Sequence, residues 1–244
     1  MIKQCDLGPD QGLNLAILQA RMTSTRLPGK VLAPILGQPM ISRQVERLRR
    51  SRRIDHLLVA TSTDATDDPL AQACAAINVA VFRGDLNDVL GRFCSALTAY
   101  PSTKAVVRLT ADCPLTDFTV IDDLIALHHA QDADYSSNTL PERTYPHGLD
   151  AEVIRPSALL RADRESSDPY EREHVTPFLY RRPQEHRMSS LSRAPSLAHL
   201  RWTVDFPNDL TFVRGVYEQL YLTDPSFGIE AIKALSPNSS GGAV

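Results

Sequence analysis

The densest chemistry in the chain lies between Leu15 and Leu32. The stretch opens on an apolar run, Leu15-Ala16-Ile17-Leu18, of the kind that forms a strand buried on both faces. It then breaks into Ala20-Arg21-Met22-Thr23-Ser24-Thr25-Arg26-Leu27-Pro28-Gly29-Lys30. Arginine grips phosphate oxygens in a two-pronged fork, and lysine acts as a mobile point charge. Consecutive amides in a tight loop add donors. Ala20, Arg21, Ser24, Arg26 and Lys30 are therefore expected to hold an oligophosphate, with Lys30 and Arg21 neutralising charge during reaction. A merely solvated basic loop would run its cations together, and here they are interleaved with Ser, Thr, Pro and Gly. The loop has neither the Gly-x-x-x-x-Gly-Lys-Ser/Thr nor the Gly-x-Gly-x-x-Gly pattern. Lys30 is expected to be exposed, so that its loss would spare the fold.

A second chemical element is Asp112, in Val106-Val107-Arg108-Leu109-Thr110-Ala111-Asp112-Cys113-Pro114. An acid just past a strand and facing a cationic loop suits magnesium, which takes one or two carboxylates together with phosphate oxygens and water. Helix capping is the plainer role, but Asp117 is better placed for it. Alternation along the strand points Arg108 and Thr110 the same way as Asp112, as base or phosphate contacts.

The loop from Ala20 to Leu32 resembles the signature loop of the sugar cytidylyltransferases. These include the enzymes that activate 3-deoxy-manno-octulosonate and acylneuraminate, and the related spore-coat polysaccharide biosynthesis proteins. The resemblance runs from about Leu15 to Leu235. It implies that the loop wraps a nucleoside triphosphate, and that Asp112 binds metal in a Gly-Asp-x-Pro motif whose Gly is here Ala111. Trp202-Thr203-Val204-Asp205-Phe206-Pro207-Asn208-Asp209 is similar to the family's second acidic motif and implies Asp205 as partner metal ligand. Asn208 reads as a helix cap and Asp209 as a first-turn acid. Two bare carboxylates beside a triphosphate would repel it, which argues for a shared divalent cation. Thr61 and Arg83 fall where the family reads base and ribose. Arg143 to Glu152 and Tyr170 to Pro177 look like the spore-coat branch. They make Tyr145, His147, Asp150, Glu152, Arg172, Glu173 and His174 candidates for holding an acceptor, and Asn138 is a further candidate. His147 and His174 are too irregularly spaced for zinc.

These residues need elements to carry them. Apolar runs at Leu57–Ala60, Val79–Phe82 and Ala105–Leu109 predict further strands. Helical spacing predicts helices over Pro39–Arg53, Asp67–Ile77, Asn87–Tyr100, Phe118–Gln131, Glu171–Tyr180 and Asn208–Tyr221, and a late strand over His199–Val204. Tyr135–Asn138 and Leu149–Ile154 read as short strands. The fold class expected is α/β: a doubly wound, mostly parallel sheet of Rossmann-like, nucleotide-diphospho-sugar transferase-like type. Its loops at the carboxyl ends of the strands meet in one crevice. Residues 15–235 are expected as one nucleotidyltransferase domain. Within it, about 134–200 would form a small irregular insert for the acceptor and a homodimer contact. Residues 1–14 read as an arm and 236–244 as a tail.

The 244 residues allow a sizeable core, and the net charge of −3 argues against general nucleic-acid binding. The four cysteines, Cys5, Cys74, Cys94 and Cys113, show no Cys-x-x-Cys pair. Neither a leader nor a long apolar span is visible, so a cytoplasmic protein without membrane contact is expected. The resemblance implies a magnesium-dependent enzyme that transfers CMP from CTP to a small acceptor and releases pyrophosphate. A nucleotide-sugar-dependent glycosyltransferase and a non-catalytic nucleotide sensor are the rivals. The first would use an Asp-x-Asp metal motif, and Asp132-Ala133-Asp134 has that form but precedes a strand.

Overall fold

The structure, a computed structural model, describes residues 12–235. The expected tail, and residues 1–11 of the expected arm, lie outside them. Leu13 and Asn14, read as part of the arm, instead begin the first strand.

In chain order the elements are β1 (Leu13–Gln19), a small hairpin of β2 (Pro34–Ile35) and β3 (Gln38–Pro39), α1 (Met40–Leu48), β4 (His56–Ser62), α2 (Asp68–Ala76), β5 (Ala80–Gly84), α3 (Val89–Leu97), β6 (Thr103–Thr110) and α4 (Phe118–Ala130). Then follow β7 (Tyr135–Ser137), β8 (Glu152–Ile154), α5 (Pro156–Glu165), α6 (Pro169–His174), α7 (Pro177–Tyr180), β9 (Met188–Ser190), α8 (Pro207–Leu220) and α9 (Ile229–Leu235). The main sheet has seven strands in the order β5-β4-β1-β6-β8-β7-β9. β5, β4, β1 and β6 run parallel, and β8 is antiparallel to both β6 and β7. The expected mostly parallel sheet with helices on both faces is present.

Alternation along β1 explains the two layers. Leu15 and Ile17 face one way, into a cluster with Leu58, Val106, Phe93 of α3, Leu159 of α5 and Phe178 of α7. Ala16 and Leu18 face the other, toward Val45 of α1, Leu70 of α2 and Leu124 of α4. Each fully buried Leu or Ile contributes about 1.5–3 kcal/mol. A one-residue slip of β1 would forfeit several such terms at once, so its register is fixed, and with it the start of the loop at Ala20.

The middle region departs from expectation in three ways. It is no irregular insert: β7, β8 and β9 extend the same sheet. The single helix expected over 171–180 is two helices, because Val175 adopts φ 73° and Pro177 restarts the chain. Helix α5, unmarked by strong periodicity, was not expected at all. The late strand over 199–204 is also absent. His199 lies in a turn, the segment joins no ladder, and only Arg201 makes an isolated bridge, to His147. Gly148 permits the approach: at φ 101°, a Cβ there would lie 2.5 Å from the Thr203 nitrogen.

Candidate active site

The loop after β1 is built by its own backbone. The Ala20 N–H donates to the Ala60 carbonyl, and Ser24 and Gly29 both donate to the Met22 carbonyl. Gly29, at φ 70°, turns the chain into a single 3-10 turn over Lys30–Leu32. Asp67 pins the loop from below. It is fully buried and accepts from Met22 N–H at 2.7 Å, Thr61 Oγ1 at 2.8 Å and Ser62 N–H at 3.0 Å. Burial works to raise the Asp67 carboxyl, but these donors outweigh it and hold it below the usual carboxylate range.

The loop closes on two acids. Lys30 donates to the Val204 carbonyl at 2.6 Å, lies 3.1 Å from Asp205 Oδ1 and 3.6 Å from Asp112 Oδ2. It is only 9% exposed, so the expectation of an exposed, structurally dispensable Lys30 is overturned. Arg26 reaches the same Asp205 oxygen at 2.6 Å, and Arg201 reaches Oδ2 at 2.8 Å. Burial works to raise the Asp205 carboxyl, yet Arg201, Lys30 and Arg26 hold it low. Asp112 is tied by Thr110 Oγ1 at 2.6 Å, and its carbonyl accepts from Val204 N–H at 2.7 Å. The two carboxylates whose repulsion of a triphosphate argued for a divalent cation are thus already offset by side-chain cations. Asp209 accepts from Asp205 and Phe206 N–H groups and caps α8. Phe206, not Asn208, stands at the cap position, and Asn208 is exposed.

A cavity of about 280 Å³ opens here, lined by Ala20, Arg21, Ser24, Arg26, Lys30, Thr110, Asp112 and Asp205, and also by Gln19, Thr25, Val31, Ala111 and Arg92. Arg21 is half-exposed, 3.9 Å from Glu173. Thr61 and Arg83 are not brought in. Thr61 is buried on Asp67, and Arg83 is spent on the Ser62 and Asp64 carbonyls and on Asp68.

Thr110 also lines a second cavity of about 280 Å³, with Arg108, Leu109, Thr139, Leu140, Asp150, Glu152, Tyr170, His174, Thr176 and Tyr180. Arg108 therefore faces this chamber, paired with Glu152, and not the loop. Tyr135 donates to Glu152 as well. Asp150 is held by the fork of Arg143 at 2.6 and 2.8 Å. Of the expected acceptor residues, Asp150, Glu152 and His174 gather here. The others do not. Asn138 bonds the Leu149 carbonyl and Ala151 N–H in the interior. Arg172 clamps Asp88 and Asp163. Tyr145 is buried elsewhere, His147 is exposed, and Glu173 sits by Arg21.

Sequence reasoning missed Arg92, Tyr170 and Tyr180. The first had a signal: a charged residue among Val89, Leu90 and Phe93 on a helix that packs inward. The tyrosines had none beyond flanking His174.

The Asp132-Ala133-Asp134 motif sits at the amino end of β7, away from both cavities, where Arg155 binds Asp134 at 2.9 Å and Asp132 at 2.5 Å. No group of three or more His, Cys, Asp or Glu poised for a metal occurs among the described residues. Cys74, Cys94 and Cys113 are buried free thiols, and burial pushes Cys74 up to about 11. No described helix is long and apolar enough to cross a membrane.

With this geometry in place, the comparisons with known proteins agree. The model of the cytidylyltransferase family matches residues 15–222. The chain is 34% identical over 220 residues to the spore coat polysaccharide biosynthesis protein SpsF of Bacillus subtilis, covering 84% of this chain and 86% of that one. A cytidylyltransferase structure from Leptospira borgpetersenii superposes with a TM-score of 0.89 at 27% identity, covering 96% and 99% of the two chains. A CMP:2-keto-3-deoxy-manno-octonic acid synthetase, solved with CTP, shares the fold at a TM-score of 0.65 and 18% identity, covering 85% of this chain and 99% of that one. The chain belongs to the cytidylyltransferase family.

Proposed function

We propose that this protein transfers CMP from CTP to a small, anionic sugar-like acceptor and releases pyrophosphate. The observation that carries the reading is the junction at Thr110. A cationic cavity that suits a triphosphate and a polar, tyrosine-lined cavity that suits a polyol meet at one side chain, which is bonded to Asp112. An acceptor oxygen entering from the second cavity reaches phosphorus lying over Asp112 and Lys30.

In the reaction the acceptor oxygen bonds the α-phosphorus and the bond to the β-phosphate oxygen breaks. Negative charge gathers on the non-bridging and leaving oxygens. Lys30 stands ready for it: its ammonium already lies between two carboxylates and need not reorganise. Arg21 and Arg26 supply two more cations at the loop, and Ser24 a hydroxyl. Arg108, His174 and the tyrosines orient the acceptor, and Arg108, fixed by Glu152 and Gln19, is a positioned cation facing it.

The donor set fits magnesium in a restricted way. Asp112 is only partly engaged and would be the first ligand; Asp205, held by Arg26, Lys30 and Arg201, would be the second only where those cations turn to the triphosphate. One or two carboxylates completed by phosphate oxygens is the usual magnesium arrangement. Such an ion would neutralise phosphate charge and lower the pKa of an acceptor hydroxyl. A homodimer formed through the 134–200 region belongs to the same proposal.

A screen of the four nucleoside triphosphates against anionic sugars, read by pyrophosphate release, tests the reading. CTP with at least one acceptor should give release. Release with UTP or ATP and none with CTP would overturn it.

A further inference from the structure

Arg92 is a buried cation without a hydrogen-bond or ion-pair partner among the described residues. It lies on α3, is 2% exposed, and lines the loop cavity. Its Nε and Nη1 are buried with no hydrogen-bond partner. Leaving donors of a charged group unmade costs more than an ordinary hydrogen bond gains. Burial accordingly pushes the guanidinium below its usual value, with Asp67 opposing. The other two arginines that line the cavity have acidic partners, Arg26 on Asp205 at 2.6 Å and Arg21 3.9 Å from Glu173. The fold even makes room for Arg92. A Cβ at Gly84, the last residue of β5, would come within 3.0 Å of the Arg92 Cγ.

Position decides what it meets. Lys30, Arg26, Asp112 and Asp205 cluster at the β6 end of the cavity, beside the acceptor chamber. Pyrophosphate and metal belong with those charges. Arg92 rises from α3, which packs on β5 and β4 on the far side of β1 from β6, and of the cavity's cations it feels Arg21. That end is left for the nucleoside.

Resting on the cytidylyl-transfer reading, we propose that Arg92 reads the base. Its guanidinium donates to O2 and N3 of cytosine, two acceptors side by side. Uracil carries N3–H, a donor, which would face a guanidinium donor without a bond. No existing hydrogen bond of Nε or Nη1 has to break for the fork to turn toward the ligand. A bidentate contact to a base edge discriminates by roughly 10- to 100-fold.

The test uses the full chain with CMP, UMP and pyrophosphate as titrants, in wild type, Arg92→Met and Arg92→Lys. Wild type should prefer CMP to UMP. Arg92→Met should lose about 10- to 100-fold in CMP affinity, bring the CMP:UMP ratio toward one, and leave pyrophosphate affinity unchanged. Its Tm should hold or rise, because an unpartnered buried charge is removed. Arg92→Lys keeps the charge without the fork, so it should lose the base preference as well. It is the informative variant should Arg92→Met misfold. Either variant keeping the wild-type CMP:UMP ratio overturns the proposal, as does loss of pyrophosphate affinity with that ratio intact, the mark of a phosphate clamp. Wild type with no preference for cytidine nucleotides would instead sink the cytidylyl-transfer reading itself.

Discussion

The ammonium of Lys30 lies 3.1 Å from the carboxylate of Asp205, although the two residues are 175 positions apart. The contact joins the phosphate loop to the segment that leads into α8. In the proposed reaction the same lysine is a charge for the transfer as well as a brace for the fold.

Lys30→Ala should therefore lose on both counts. Removing one preorganised donor typically costs about 10²–10³ in turnover. Leaving Asp205 and the Val204 carbonyl short of a partner should cost about 1–3 kcal/mol of stability as well. Steady-state kinetics and urea unfolding check the pair of losses. Unchanged stability would show that the brace is not needed.

Asp112 and Asp205 should separate on substitution to Asn. Asp205 offsets Lys30, Arg26 and Arg201, so Asp205→Asn should lower Tm and tighten magnesium-free CTP binding. Asp112 accepts at its carboxylate chiefly from Thr110, so Asp112→Asn should keep Tm within a few degrees while magnesium-dependent turnover collapses. Calorimetric CTP titrations with and without magnesium distinguish the two. Equal behaviour in both assays would contradict the division of roles.

On the proposed reading, Asp67 acts on the nucleotide through the loop that it pins at Met22. In Asp67→Asn an amide group replaces an oxygen that accepts from Thr61 and Ser62, and the Met22 anchor shifts. The KM for CTP should rise several-fold, and stability should fall by about 1–3 kcal/mol. Because the folded carboxyl is held low, its contribution is present above the ordinary carboxylate range. It is lost as pH falls through the lowered value. The variant should have a flatter acid limb in a plot of Tm against pH.

His128 gives a second pH effect with the same slope for a different reason. It is buried on α4 against Ser136 Oγ at 2.8 Å, and burial pushes it from 6.5 down to about 4. The unfolded chain takes up this proton near pH 6.5 and the folded one does not until about pH 4. Stability should thus be complete above about 6.5 and decline toward 4, by up to about 3 kcal/mol. His128→Gln can keep the Ser136 bond and should remove that decline in urea midpoints taken from pH 7.5 to 4.5.

Much of this architecture could be read in advance because its causes are local. The apolar run of β1, the i, i+3, i+4 spacing of α2 and the cap at Asp117 each depend on neighbours in sequence. The loop cations could be read for the same reason: Arg21, Arg26 and Lys30 lie within ten residues. What escaped depends on distant partners. Lys30 is buried because the segment at Val204 folds over it. Arg83 and Thr61 have the right chemistry but are consumed by Asp68 and Asp67. Tyr170 and Tyr180 reach the second cavity only because Val175 breaks the helix between them. Segment 199–204 has strand composition, but its one bridge is from Arg201 to His147, a residue outside the sheet's strands.

The central claim is that the α-phosphoryl group, with its nucleoside, is what moves. CTP labelled at the α-phosphorus, incubated with magnesium and an acceptor that supports pyrophosphate release, tests it most directly. The label should appear in a CMP–acceptor ester, in equal amount to pyrophosphate, and Lys30→Ala should suppress both together. Label left on free CDP or CMP, with orthophosphate released in place of pyrophosphate, would contradict the account.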